Sequence, residues 1–92
     1  MEYTVYILYS KTYDKIYIGF TSDIINRFHS HNRLAVKGWT KKYRPWEVIY
    51  CEFYENKSLA MNREEQLKGA KAREWIRFKI QSEYLIHGFI SA

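Results

Sequence analysis

Ninety-two residues, 47% of them hydrophobic and 18% aromatic, make one compact domain over 1–92 and exclude a disordered chain, which would be poor in aromatics and dominated by charge. The single cysteine, Cys51, excludes an internal disulfide and a cysteine-rich zinc site. No apolar run approaches the ~20 residues of a membrane span, and no basic stretch leads into an apolar segment at the N-terminus, so the expected location is cytoplasmic. A domain this small buries only roughly 60–65% of its unfolded surface. It needs a dense core, which Trp39, Trp46, Trp75 and nine tyrosines can supply. The net charge of +5 suits a polyanionic partner.

Residues 3–9, Tyr-Thr-Val-Tyr-Ile-Leu-Tyr, are β-branched or aromatic almost throughout and predict a strand. A polar connection of hairpin length covers 10–14, and 15–20 predicts a second strand. Alternation then sets the faces. With Val5 and Ile7 toward the core, Tyr6 points the other way; with Ile16 and Ile18 toward the core, so does Tyr17. The pattern predicts two tyrosines on the same non-core face of one hairpin.

Thr21, Ser22 and Asp23 are N-cap candidates for a helix over 24–33. On it, Ile24, Ile25 and Phe28 form an apolar arc, and Asp23, Arg27 and His31 form a polar line at i, i+4 and i+8. Residues 34–45 read as an irregular basic loop with Gly38 and the sole proline, Pro45. A third strand is expected over 46–53. A helix follows from 57 or 58 to 68, with Leu59, Met61 and Leu67 as its buried stripe and Gly69 as its C-cap. A last helix over 71–83 is expected to set Trp75, Phe78 and Leu85 against the core.

Several groups can carry chemistry, and each has an ordinary reading beside it. Between Ile24 and Trp46 there is no Asp or Glu, while Arg27, Arg33, Lys37, Lys41, Lys42 and Arg44 lie there. That charge suits a polyphosphate backbone, or is an ordinary basic surface. Tyr6 and Tyr17 can pack with their hydroxyls at a surface, or serve as base or proton relay where cations or a metal lower the phenol pKa from ~10. Arg27 and His31 can be a solvated helix pair. Alternatively, the guanidinium can meet charge building on a phosphate while the imidazole orients or deprotonates a water. Glu64 is a solvated helical carboxylate, or a Mg²⁺ ligand beside substrate oxygens and waters. Trp39 and Tyr43 are packing anchors or stacking surfaces for unpaired bases. Cys51 reads as a core thiol, and glycine-loop, His-Glu-x-x-His and Gly-x-Ser-x-Gly signatures are absent.

Taken in order, Val5-Tyr6-Ile7-Leu8, Tyr17-Ile18-Gly19-Phe20-Thr21, Arg27 with His31, Arg44-Pro45, and Ala60 through Glu64 to Leu67-Lys68-Gly69 resemble the GIY-YIG nuclease superfamily. The likeness covers roughly 3–80 and is greatest to small single-domain bacterial members related to the UvrC N-terminal nuclease domain. It implies an α+β fold, a three-stranded antiparallel sheet flanked by helices. It also implies hydrolysis of DNA phosphodiesters with one divalent metal, Mg²⁺ or Mn²⁺, in DNA repair or recombination. On that resemblance Glu64 would bind the metal and Arg27 would stabilise the pentacovalent phosphate. Tyr6 and Tyr17 would line the site, His31 would assist water activation, and Gly19 would permit close backbone approach there. Arg33, Lys37, Lys41, Lys42 and Arg44 would hold DNA, or RNA. The sequence departs from the family in three places. Thr4 stands where the first motif has glycine, no asparagine follows Asn62, and no histidine lies near Thr40-Lys41-Lys42. A non-catalytic nucleic-acid-binding module is therefore the alternative to a nuclease, and a basic protein-interaction domain is a third reading.

Overall fold

A computed structural model describes residues 2–25 and 39–84. Two strands open the chain, β1 (Tyr3–Ser10) and β2 (Lys15–Thr21). A short helix, α1 (Trp39–Lys42), precedes β3 (Glu47–Tyr54). Then come α2 (Lys57–Leu67) and α3 (Ala70–Lys79), which runs into a π-helical turn at Ile80–Tyr84. The sheet is antiparallel in the order β2-β1-β3, as the α+β expectation requires. Among the described residues no helix is long and apolar enough to cross a membrane.

β1 is buried over nearly its whole length because both faces of this central strand are covered. On one face Val5, Ile7 and Tyr9 join Ile49, Ala60, Leu67, Ile76 and Ile80 in a core beneath α2 and α3. On the other, Tyr6, Leu8 and Trp46 form a second buried cluster, joined by Tyr17, Ile24, Tyr43, Val48 and Cys51. Alternation assigned Tyr6 and Tyr17 to one side correctly, but that side is no solvent face: Tyr6 is only 2% exposed. Trp46 supplies the bulk that covers it.

β3 departs from strict alternation. Its register against β1 shifts between Ile7↔Tyr50 and Leu8↔Val48, so Ile49 is an extra residue in a bulge. The bulge lets Ile49 and Tyr50 both face the helices while Val48 and Cys51 join the second cluster.

α2 begins at Asn56, whose side-chain oxygen accepts from the backbone N–H groups of Ser58 (2.7 Å) and Leu59 (3.4 Å). The predicted stripe is wrong in detail. Leu59 and Met61 are exposed, whereas Ala60 and Leu67 are buried. The helix turns this way because Arg63 is drawn to the sheet: its Nε donates to Glu52 Oε1 at 2.8 Å and its Nη2 to Oε2 at 3.0 Å. Ala60, small and fully buried, lets the helix approach closely. Gly69 is a second correction. Its φ of −73° is not left-handed, so it does not end α2 as an αL cap; it occupies the N-cap position of α3.

Along α3 and into the π-helical turn the inward line is half-buried Ala72 with buried Ile76 and Ile80, spaced i, i+4, i+8. Trp75 borders it, with its ring edge-on to Tyr50 at 5.2 Å, and Phe78, almost opposite Ile76 around the helix, is exposed. The expectation that Trp75 and Phe78 meet the core is corrected, and Leu85 lies outside the described residues. Of the predicted first helix, Ile24 and Ile25 are helical and the remainder also lies outside; Ile24 packs inward whereas Ile25 is exposed. The basic loop expected over 34–45 is helical at Trp39–Lys42 and enters β3 through a cis Arg44–Pro45 peptide.

Glu52 joins sheet to helix most strongly. Besides the Arg63 fork, it accepts from the hydroxyls of Tyr50 and Tyr54 on its own strand. Burial pushes its carboxyl upward, but Arg63 and the two hydroxyls outweigh this and lower it to about 2. A carboxyl held below its unfolded pKa stabilises the fold above that pKa, and the contribution disappears as pH falls through the folded value. Glu52→Gln should therefore cost on the order of 2–3 kcal/mol at neutral pH. The difference from the parent, read by urea unfolding, should shrink from about pH 5 downward and vanish near pH 2. A constant difference across that window would contradict the assignment.

Candidate active site

Tyr6 lies at the middle of β1 opposite Gly19 on β2, with the two Cα atoms paired in register. A side chain at position 19 would collide with it. A Cβ there would stand 2.6 Å from Tyr6 Oη, 2.8 Å from its Cζ and 3.1 Å from Tyr17 Cε1. The missing side chain lets the Tyr6 phenol lie across β2 and stack on Tyr17, with centroids 6.2 Å apart and planes 27° from parallel. Tyr17 in turn meets Trp46 edge-on at 6.4 Å. The order Tyr6, Tyr17, Trp46 follows from strand alternation plus one glycine.

The two tyrosines differ in access. Tyr6 is buried in the second cluster. Tyr17, half-buried on an edge strand, also borders a cleft of about 340 Å³ lined with Ile16, Ile18, Glu64, Lys68 and Arg73. Glu64 reaches that cleft from α2, one turn before buried Leu67, and its side chain is 17% exposed. Lys68 Nζ donates to Glu64 Oε1 at 3.2 Å across one helical turn. Tyr17 and Glu64 thus border one opening from different elements, with Lys68 and Arg73 on its rim.

Among the described residues no three His, Cys, Asp or Glu side chains gather into a metal cluster. A single carboxylate nonetheless fits a hard divalent ion such as Mg²⁺, which retains several waters and takes few protein ligands. Among the described contacts of Glu64, Lys68 engages Oε1, and Oε2 is the oxygen such an ion would use.

Of the basic residues singled out in sequence, Lys41 and Lys42 are exposed on α1 and Arg44 is half-buried after it. Lys42 Nζ lies 5.5 Å from the centre of the Tyr43 ring, and Tyr43 itself packs against the second cluster, an anchoring role. Arg27, His31, Arg33 and Lys37 lie outside the described residues. Burial raises the pKa of half-buried Cys51 above that of an ordinary thiol, in keeping with a core residue.

The model of the GIY-YIG catalytic domain matches residues 2–79. The chain belongs to the GIY-YIG family. It is 33% identical over 79 residues to a UPF0213 protein of Limosilactobacillus reuteri, a match covering 84% of this chain and 81% of that protein. It is 40% identical over 53 residues to a UPF0213 protein of Staphylococcus aureus, covering 58% of this chain and 65% of the relative. The solution structure of a UPF0213 protein from Bacillus halodurans superposes with a TM-score of 0.51 at 26% identity, over 83% of this chain and 82% of that one. The GIY-YIG frame so defined contains the Tyr6–Gly19–Tyr17 packing and the Tyr17–Glu64 cleft.

Sequence reasoning missed two polar constellations in this GIY-YIG chain. One is Glu52 with Arg63, Tyr50 and Tyr54. Its signal was available: tyrosines two residues either side of a glutamate put all three on one strand face. The other is Asp14, which takes the Tyr9 hydroxyl at 2.8 Å and Arg77 Nη1 at 2.6 Å. These hydrogen bonds, that from Tyr9 foremost, lower the Asp14 carboxyl, while burial and the same carboxylate raise the Tyr9 phenol to about 12.

Gly19→Ala should destabilise the fold by roughly 1–3 kcal/mol, the usual cost of forcing atoms into a packed core. In a Tyr6→Phe background the nearest clash, with Oη, is removed. The penalty measured by urea unfolding should then fall clearly below that in the parent. An equal penalty in both backgrounds would show that position 19 senses something other than the Tyr6 hydroxyl.

Proposed function

We propose that this single GIY-YIG domain is a divalent-metal-dependent DNA endonuclease whose reaction takes place at the cleft shared by Tyr17 and Glu64. The observation that supports this most is their proximity: Tyr17 on the edge strand and Glu64 on α2 border one opening, within a chain matched by the GIY-YIG catalytic domain model over residues 2–79. Branched or damaged DNA met in cytoplasmic repair or recombination is the substrate class this reading favours.

Glu64 is the residue that would hold Mg²⁺ or Mn²⁺. When bound, such an ion supplies Lewis-acid stabilisation of the charge that builds on the phosphate. Tyr17, at the edge of the cleft, orients the attacking water through its hydroxyl. Tyr6, buried behind it, holds the Tyr17 ring in place by stacking. Lys68 and Arg73 on the rim attract the backbone. Arg27 is assigned to the phosphate and His31 to the water.

The Lys68–Glu64 ion pair favours a second reading, a nucleic-acid-binding module in which a lysine takes the cation's place. One experiment separates the two. End-labelled duplex, single-stranded, flap and four-way DNA are incubated with Mg²⁺ or Mn²⁺, against an EDTA control and identically purified Glu64→Ala and Arg27→Ala proteins. The nuclease reading expects metal-dependent products that fall at least about 10²-fold in either variant, with most binding retained. Retention without products would favour the binding module. Products undiminished in Glu64→Ala would overturn the assigned site.

A further inference from the structure

Beside Tyr17, the β1–β2 turn presents a feature that the cleft does not use. Tyr13, at the turn, is 49% exposed and meets Tyr43 edge-on, with centroids 5.5 Å apart. Lys15, the first residue of β2, puts Nζ 5.3 Å from the centre of the same Tyr43 ring, and Lys42 from α1 puts Nζ 5.5 Å from it. The negative faces of the Tyr43 ring attract both ammonium groups, and two cations at one ring make this spot a place where an anion is favoured.

The turn is held in place. Asp14 adopts a left-handed φ of 54°, and besides the Tyr9 and Arg77 bonds to its carboxylate, its backbone carbonyl accepts from Arg77 Nη2 at 3.4 Å. The residues on either side of Asp14, Tyr13 and Lys15, are therefore presented by a clamped backbone. Alternation along β2 places Lys15, Tyr17 and Gly19 on one side of the strand. One strand step of two residues, roughly 6–7 Å, separates Lys15 from the tyrosine at the cleft.

We propose that Lys15 and Lys42, gathered on Tyr43, hold a backbone phosphate of single-stranded DNA while Tyr13 stacks the adjoining unpaired base. The ligand must be unpaired, because a base within a duplex is already stacked on its neighbours and offers no face to Tyr13. A strand seated there runs toward Tyr17, so the substrate class is DNA with a single-stranded arm. That direction rests on the nuclease reading above; the binding site itself does not.

The test is fluorescence anisotropy in EDTA, so that no strand is cut. A labelled short oligothymidylate, the same strand with abasic sites, and a duplex are each titrated with the full chain. Tyr13→Ala should weaken oligothymidylate binding about tenfold and change abasic-strand and duplex binding by less than about twofold. Tyr13→Phe, which keeps the ring and its contact with Tyr43, should bind as the parent does. Lys15→Ala combined with Lys42→Ala should lower the slope of log affinity against log salt by about 0.7, the share of one single-strand phosphate. Unchanged oligothymidylate binding in Tyr13→Ala overturns the proposal. So does equal weakening on all three ligands, which would mark a general loss of structure or charge, or an unchanged salt slope in the lysine variant. If this pattern appears but no DNA is cut with metal, the nuclease reading fails and the binding site stands; cutting without the pattern means the reverse.

Discussion

The opposition of Tyr6 and Gly19 across two antiparallel strands underlies the rest of the site. Any Cβ at position 19 would lie within 2.6 Å of the Tyr6 hydroxyl oxygen. Because none is there, a large phenol folds flat over its neighbouring strand instead of standing out from the sheet. Tyr17 stacks on it, Trp46 closes over both, and the second face of a small sheet becomes interior. A three-stranded sheet with one bare face is marginal at this size. Covering both faces stabilises the fold and leaves Tyr17 as the ring that is at once supported and accessible.

Charge completes what packing begins. The Glu52–Arg63 fork turns α2 so that Ala60 and Leu67 meet the sheet, and in that orientation Glu64 reaches the cleft beside Tyr17. The Asp14–Arg77 pair ties the far end of the hairpin to α3. Its Asp14 side chain is largely exposed, so its energetic worth is small, but it fixes the turn on which Tyr13 and Lys15 sit. One carboxylate on β3 and one at the turn thus help set the positions of residues around them.

Much of this was legible in the chain. β-branched and aromatic runs marked all three strands, and period two put Tyr6 and Tyr17 on one side before any coordinates. Helix α2 was bounded within a residue at each end. What could not be read was settled by partners distant in sequence. Tyr6 is buried because Trp46, forty residues later, covers it. Ile49 and Tyr50 share a face because β3 bulges against β1. Leu59 and Met61 lose the buried stripe to Ala60 because Arg63 answers Glu52, eleven residues earlier. Of the candidate-site residues, Tyr6, Tyr17, Gly19 and Glu64 were named from the sequence. Their arrangement, Tyr6 stacked on Tyr17 and Glu64 bordering a cleft at the β2 edge, needed the packing of β2 against α2.

The central claim is that a divalent ion binds at Glu64 beside Tyr17, and a Mn²⁺ titration followed by NMR tests it most directly, since the ion broadens resonances near where it resides. With isotopically labelled tyrosine, isoleucine and lysine, Tyr17, Ile16, Ile18 and Lys68 should broaden most strongly and saturably, with weaker broadening at Tyr50 and Tyr54. The effect should disappear in Glu64→Ala. Broadening centred on Glu52 or Asp14, or persisting at Tyr17 without the Glu64 carboxylate, would contradict the account.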